Sequence, residues 1–205
     1  MIQLSWILVA PILIYLAFSW FRVLKEDQAI DEIIVFSLSF LFLTGLAFYL
    51  GLLLGLALPL VIIVGWFWVM IFARLRNWNP WLMLESMVFS LLICLLLENL
   101  VWLLLGRSFG IWFVLRAGVP VLIWLANLYL GRYRQFHWYT SGKVGFLFLA
   151  DLMLLSVLSS GLDFYFSNRI EWANVLWLGL TLTSLVSVVS LSGRLKLFRR
   201  NKLVY

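Results

Sequence analysis

Two adjacent polar side chains, Glu98 and Asn99, lie in the middle of an apolar run that covers residues 81–105. The run has about the length that a helix needs to cross a bilayer. A carboxylate in hydrocarbon costs at least about 2.5 kcal/mol, so Glu98 requires a cation, a proton or water as its partner. The sequence therefore predicts a polar site inside a membrane.

Arg116, on the next predicted helix, is a cation that could pair with Glu98. The short turn at residues 106–110 should join two antiparallel helices, and it places Glu98 and Arg116 at depths of about 12 and 9 Å from the same end. An ion pair is then the least costly way to keep both charges in the membrane. One interpretation is a polar cavity open to the outer leaflet, in which Arg116 and Arg107 bind a lipid phosphate. The other is a structural ion pair that fixes the bundle.

A second polar contact is expected between the fifth and sixth predicted helices. Asn127 and Asp151 should lie about 6 and 12 Å from the cytoplasmic side, and we interpret their contact as structural. Asp163 is a further polar residue near the end of the sixth helix, and both it and Glu85 are expected to be solvated at helix ends.

No residue pattern in the sequence indicates a metal, a cofactor or a catalytic group. His137 lies in an aromatic and basic loop and is interpreted as an interface anchor, because no positioned partner accompanies it. Cys94 lies inside a predicted helix without a neighbouring base, which favours a packing role. Catalytic residues are therefore not assigned.

The composition determines what kind of elements must position these side chains. Of 205 residues, 65% are apolar and only 12% are charged, which excludes an ordinary soluble domain and indicates an all-α, polytopic membrane protein. The length allows a single transmembrane helical domain over residues 1–205. The net charge of +6 does not indicate nucleic acid, because the basic residues lie mainly in loops and the tail, where membrane topology explains them.

Seven transmembrane helices are predicted from the apolar runs, and the first is expected to be a retained helix rather than a signal peptide. All but three of the 15 Lys and Arg residues lie in the tail or in loops that follow odd-numbered helices, the exceptions being Arg107, Arg116 and Arg169. This bias predicts an N-terminus outside and a C-terminus in the cytoplasm. The predicted helices cover residues 4–21, 33–50, 52–73, 81–105, 111–130, 144–162 and 172–191.

Three segments of the chain resemble prolipoprotein diacylglyceryl transferase. Residues 69–85 are similar to a helix of that family that ends in a basic Phe-Ala-Arg turn, followed by an aromatic residue, an acidic residue and a long helix. Residues 14–49 are similar to its first two helices, and residues 141–164 to its sixth helix and the acidic and aromatic step after it. Members of the family are bacterial inner-membrane enzymes with seven spans and an outside N-terminus. They move a diacylglyceryl group from phosphatidylglycerol to a lipoprotein cysteine.

The family's signature residues do not occur at the corresponding positions. Residues 59–60 are Pro-Leu where the family has His-Gly-Gly, and residues 98–99 are Glu-Asn where it has Gly-Arg-x-Gly-Asn-Phe. Ser159 replaces an arginine, and Asp163 is a conservative replacement for a glutamate. The resemblance implies a membrane phospholipid, such as phosphatidylglycerol, and a lipoprotein precursor or another membrane protein as partners.

Two alternatives to a lipid-binding relative of the transferase remain open. One is a non-catalytic membrane bundle that acts as an assembly or interaction partner, with the same polar residues holding its helices together. The other is a small proton-coupled transporter that uses Glu98 or Asp151 as its proton site, although no internal repeat supports it.

Overall fold

Apolar runs separated by polar turns form helices throughout the part of the chain that the computed structural model describes. That part comprises residues 15, 18–22, 24–25, 28–54, 56–88, 91–93, 95–96, 111–136, 139, 141, 143–167 and 172–192. Its helices are α1 (Ile30–Leu54), α2 (Ala57–Arg76), α3 (Pro80–Ser86), α4 (Ile111–Leu130), α5 (Phe146–Ser167) and α6 (Trp172–Leu191), with a single 3-10 turn at Tyr133–Gln135. No strand occurs among these residues, so the all-α class is confirmed for them.

Four of these helices are long and apolar enough to cross a membrane. The stretches that meet this condition are Ile30–Gly51, Leu58–Arg76, Phe146–Phe166 and Trp172–Leu191. The apolar part of α4, Val114–Leu130, is shorter. Two predicted spans lie partly outside the described residues: the first up to residue 14, and the fourth from residue 97 onward.

The boundary between α1 and α2 differs from the predicted one. The predicted third helix begins at residue 52, whereas α1 continues through Leu54 and α2 begins only at Ala57. Hydropathy is continuous across this boundary, so only the backbone fixes where the helix stops. Pro59 lies in the first turn of α2. Backbone N–H groups in a first turn have no acceptor within the helix, so a proline is tolerated there, close to the break between the two helices.

The turn between α2 and α3 forms as its residues predict. Asn77 ends α2 in the left-handed conformation with a φ of 57°, which asparagine tolerates better than most residues. The side chain of Asn79 then accepts hydrogen bonds from the N–H groups of Trp81 and Leu82, at 3.1 and 3.4 Å. Pro80 occupies the first helical position, where its fixed φ suits the start of α3.

Helices that follow one another in the chain pack as hairpins. Helix α1 packs on α2, α5 packs on both α4 and α6, and α3 contacts α2 and α5. We call the end that holds the starts of α1, α3 and α5 the near end, and the opposite end the far end. Among the contacts that connect segments at the near end, Arg76 pairs with Glu32 at 2.9 Å, Ser19 donates to the carbonyl of Ser86 at 3.1 Å, and Ser141 donates to the carbonyl of Leu191.

The core lies close to the near end and consists of aromatic rings and the start of α5. Trp20 is fully buried against Phe36 and Phe40, with ring centroids 4.7 and 4.9 Å apart. Such edge-to-face pairs contribute about 0.5–1.5 kcal/mol beyond their buried area. Residues 145–152 are buried without interruption, so the first turns of α5 are enclosed by their neighbours on every side.

Gly145 gives a direct test of how closely α3 approaches the start of α5. Its φ is +106°, and an added Cβ would lie 2.9 Å from the Cβ of Trp81. Gly145→Ala should lower the free energy of unfolding by more than the roughly 1–2 kcal/mol that a left-handed backbone alone costs an L-residue. Thermal unfolding of the purified chain in detergent measures this loss.

Gly161→Ala is the matched control, because Gly161 lies within α5 and an added Cβ there meets nothing within 4 Å. That variant should unfold at the wild-type temperature or slightly above it, since alanine favours a helix. Equal unfolding temperatures for the two alanine variants would contradict the close approach of α3 to Gly145.

Candidate functional site

Glu85 connects three elements at the near end of the bundle. It lies in the last turn of α3, is half-buried, and accepts a hydrogen bond from the hydroxyl of Tyr133 at 3.1 Å. Its second oxygen accepts the backbone N–H of Gly145, the residue before α5. The expectation that the Glu85 side chain is solvated at a helix end is therefore wrong, because both of its carboxylate oxygens accept hydrogen bonds from other parts of the protein.

The position of Glu85 suits its negative charge. The carbonyl of Gly145 accepts the N–H of Leu149, so Gly145 is the residue at which the hydrogen bonding of α5 begins. The free N–H groups and the dipole of a helix make its N-terminus a favourable place for an anion. Glu85 thus supplies an acceptor and a compensating charge to α5 from a different helix.

Glu85, Tyr133 and Gly145 form a cluster, which we call the Glu85 cluster. Within it, Tyr133 is held in place by ring packing. It is 3% exposed and its ring lies 5.3 Å from that of Tyr139 and 5.1 Å from that of Phe146. The guanidinium of Arg134 lies 5.7 Å from the centre of the Tyr133 ring, within the range of a cation–π contact. Burial raises the pKa of Tyr133 above its ordinary value, and the nearby Glu85 carboxylate raises it further against the opposing effect of Arg134. Tyr133 is therefore a stable hydrogen-bond donor rather than an acid at neutral pH.

The loop that contains Tyr133 buries part of its aromatic content. Tyr133 and Tyr139 are buried, and the hydroxyl of Tyr139 donates to the carbonyl of Lys143 at 2.7 Å. The basic side chains of the loop, Arg132, Arg134 and Lys143, are exposed. The loop thus turns these two rings inward and its cations outward. His137, in the same loop, lies outside the described residues.

A second polar contact joins α4 and α5 inside the bundle. It lies about one turn before the end of α4 and between one and two turns after the start of α5. Asn127 donates from Nδ2 to Oδ2 of Asp151 at 2.7 Å, and the two residues are 8% and 2% exposed. This confirms the predicted contact between the fifth and sixth helices. Among the described residues, Oδ1 of Asn127 and Oδ1 of Asp151 are buried without a hydrogen-bond partner.

The other predicted site residues belong to the far end or lie outside the described part of the chain. Arg116 is half-buried in α4, about 16 Å from Asn127 along the helix axis, and Asp163 is half-buried near the end of α5. Glu98, Asn99 and Arg107 lie outside the described residues, as does Cys94. The pairing of Glu98 with Arg116 therefore stays a prediction.

Neither metal ligation nor similarity to known proteins defines the site further. Within the described residues, no group of three or more His, Cys, Asp or Glu side chains could hold a metal ion. Comparison of the chain with known protein families, curated proteins and solved structures finds no match. The function is therefore inferred from the chemistry and position of the polar side chains.

Removal of the Glu85 carboxylate should destabilise the near end. Glu85→Ala leaves the Tyr133 hydroxyl and the Gly145 N–H without their acceptor, and we expect it to lower the free energy of unfolding by about 1–3 kcal/mol. Glu85→Gln keeps an acceptor oxygen and should cost less. Denaturant titration in mixed micelles measures both losses.

Glu32→Ala serves as the control, because it removes a carboxylate that forms only a partly exposed pair with Arg76. Exposed pairs contribute about 0–1 kcal/mol, so this loss should be the smallest of the three. A loss in Glu85→Ala no larger than in Glu32→Ala would show that the Glu85 contacts do not stabilise the fold.

Proposed function

We propose that this chain is an integral protein of the bacterial inner membrane that binds an anionic phospholipid, and that it is a divergent relative of prolipoprotein diacylglyceryl transferase. The four helices long and apolar enough to cross a membrane support its embedding in a bilayer. The observation that carries lipid binding is the position of Arg116, a half-buried cation inside a largely apolar helix.

The proposed topology has seven spans, with the N-terminus outside and the C-terminus in the cytoplasm. Its support is that the near end gathers the basic residues of several separate segments. Because cytoplasmic loops carry the excess of Lys and Arg, the near end is assigned to the cytoplasm and the far end to the outer leaflet. The basic residues described at the near end are Arg22, Lys25, Arg74, Arg76, Arg132, Arg134 and Lys143.

Arg116 then lies in the outer half of the membrane, about 8 Å from the start of α4. Its neighbours Val114 and Leu115 are exposed at 66% and 43%, so this part of α4 is turned toward lipid. The flexible stem of an arginine lets the guanidinium reach the headgroup layer, and its planar donors suit the oxygens of a phosphate. In this proposal Glu98, Asn99 and Arg107, from the preceding segment, complete the site, and phosphatidylglycerol is the lipid that the family resemblance implies.

The proposed kinship rests on the resemblance of three segments, and these segments contact one another in the fold. The segment 14–49 reaches the segment 69–85 through the Arg76–Glu32 pair. The segment 69–85 reaches the segment 141–164 through the hydrogen bond between Glu85 and Gly145. The three segments therefore belong to one continuous part of the fold. Because the family's signature residues are replaced, lipid binding rather than transfer to a lipoprotein precursor is the proposed activity.

A non-catalytic bundle that serves as an assembly partner for another membrane protein is the second candidate. It is favoured by the polar contacts at Glu85 and Asp151, because each joins two segments of this chain to one another. The carboxyl groups of Glu85 and Asp151 both accept hydrogen bonds from neighbouring segments of the same chain, as expected of residues that hold helices together. Absence of bound lipid in the experiment below would favour this candidate.

Native mass spectrometry of the chain purified in a mild detergent tests the lipid site. The wild type should retain phosphatidylglycerol, and Arg116→Ala should lower its occupancy roughly tenfold or more, because charge-assisted hydrogen bonds to the phosphate are lost. Arg116→Lys keeps the charge without the planar pair of donors and should give an intermediate occupancy.

Arg132→Ala is the matched control, since it removes an exposed arginine at the other end of the bundle. It should leave the retained lipid unchanged. Equal phosphatidylglycerol occupancy in the wild type and Arg116→Ala would exclude Arg116 as the phosphate ligand.

A further inference from the structure

The contact between Asn127 and Asp151 is incomplete as a hydrogen-bonded pair. One bond, from Nδ2 of Asn127 to Oδ2 of Asp151, joins the two side chains at 2.7 Å. The remaining oxygen of each side chain, Oδ1 in both cases, is buried without a partner among the described residues. Asp151 is 2% exposed and lies within the stretch 145–152, in which every residue is buried.

The hydrogen-bonding inventory of the two side chains shows what is missing. An ionised carboxylate only accepts hydrogen bonds, and an amide oxygen also only accepts. Two buried acceptors therefore remain on adjacent side chains, with no donor between them. A single proton on the carboxyl group supplies that donor. The acid and the amide can then each donate once and accept once.

The charged groups on the elements around α5 do not favour an ionised Asp151. Helix α6 contains no ionisable residue, and α3 contributes Glu85, whose negative charge opposes a second carboxylate. Arg74 and Arg76 lie in the last turn of α2, where Arg76 pairs with Glu32. The side chain that donates a hydrogen bond to the Asp151 carboxyl group is the neutral Asn127.

The same holds for α4 and for the loop before α5. Arg116 of α4 is about 16 Å from Asn127 along the helix. In the loop, Arg134 lies against the Tyr133 ring, and Arg132, Arg134 and Lys143 have exposed side chains. A charge in an apolar interior costs several kcal/mol unless it is paired, so the neutral form of Asp151 is the less costly one.

We propose that Asp151 is a proton-binding site, in which the carboxyl group carries a proton on Oδ1 and donates it to Oδ1 of Asn127. The two side chains then form a closed, neutral acid–amide pair between α4 and α5. Asp151 lies about 8 Å from the start of α5, so the proton is exchanged with the near end. Loss of the proton leaves a buried carboxylate with one donor, which couples the protonation of Asp151 to the packing of α4 on α5. This site is independent of lipid binding at Arg116.

Infrared spectroscopy of the full chain in lipid vesicles, with aspartate carrying ¹³C in its side-chain carboxyl group, tests the proposal. The isotope separates aspartate bands from those of glutamate. At pH 7 the wild type should show the C=O stretch of a protonated aspartic acid, with a shift in D₂O, and Asp151→Asn should lack it. Asp31→Asn, which removes an exposed residue at the start of α1, should instead lose only carboxylate bands.

Asp151→Asn replaces the acid by an amide of nearly the same shape that also donates and accepts once, so it should fold. The wild type gives a second measurement that needs no variant. Its protonated aspartate band should be strong at pH 5 and still present at pH 7. A wild-type spectrum at pH 7 with only carboxylate bands for its aspartates, or an Asp151→Asn spectrum that keeps the protonated band, would overturn the proposal.

Discussion

A polar atom inside a membrane-embedded bundle must find its partner within the protein, because lipid chains offer no hydrogen bonds. This constraint acts most strongly on the first turns of α5, where residues 145–152 are all buried. Asn127 of α4 provides a donor to the carboxyl group of Asp151, and Glu85 of α3 provides an acceptor to the N–H of Gly145. These two contacts place α3 and α4 against α5. Helix α6 completes the surroundings of α5 by packing along it, with buried residues that include Trp177 and Leu180.

The two ends of the bundle differ in chemistry. The paired Glu32 and Arg76 lie at the near end together with the cluster of Glu85, Tyr133 and Gly145, and further basic side chains are exposed around them. Toward the far end the helices expose large apolar residues, such as Leu53, Val114 and Tyr165, which suit a lipid environment. The proposed lipid site places Arg116 in that setting, within reach of lipid headgroups. This contrast is why the lipid proposal is placed at Arg116 and the proton proposal at Asp151.

Part of this arrangement follows from the sequence for definite physical reasons. The bounds of α4 and α6 coincide with the predicted fifth and seventh spans, because polar or glycine-containing turns flank both apolar runs. The Asn127–Asp151 contact was predictable because α4 and α5 are consecutive helices and the fixed helical rise sets the depth of each residue. The bounds of α1 and α2 were not predictable from hydropathy, which does not change between them.

The Glu85 cluster lacks any comparable signal in the sequence. Its members come from segments 48 and 60 residues apart, and their meeting depends on how α3 packs against α5. One of the three groups is the backbone N–H of Gly145, and the role of a backbone group cannot be inferred from the type of residue. Tyr133 and Tyr139 have the composition of an interfacial loop, yet they stack on Phe146 and become buried. The glycine at position 145 is the only local sign that two segments approach closely there.

A double-mutant cycle on Asn127 and Asp151 tests most directly whether these two side chains satisfy each other inside the bundle. The free energy of unfolding would be measured in micelles for the wild type, Asn127→Leu, Asp151→Leu and the variant with both changes. Each single change leaves one polar partner buried alone, whereas the double change removes both. We expect the double variant to be no less stable than either single variant, with a coupling energy on the order of 0.5–3 kcal/mol. Losses that simply add would contradict a direct, mutually satisfying contact between α4 and α5.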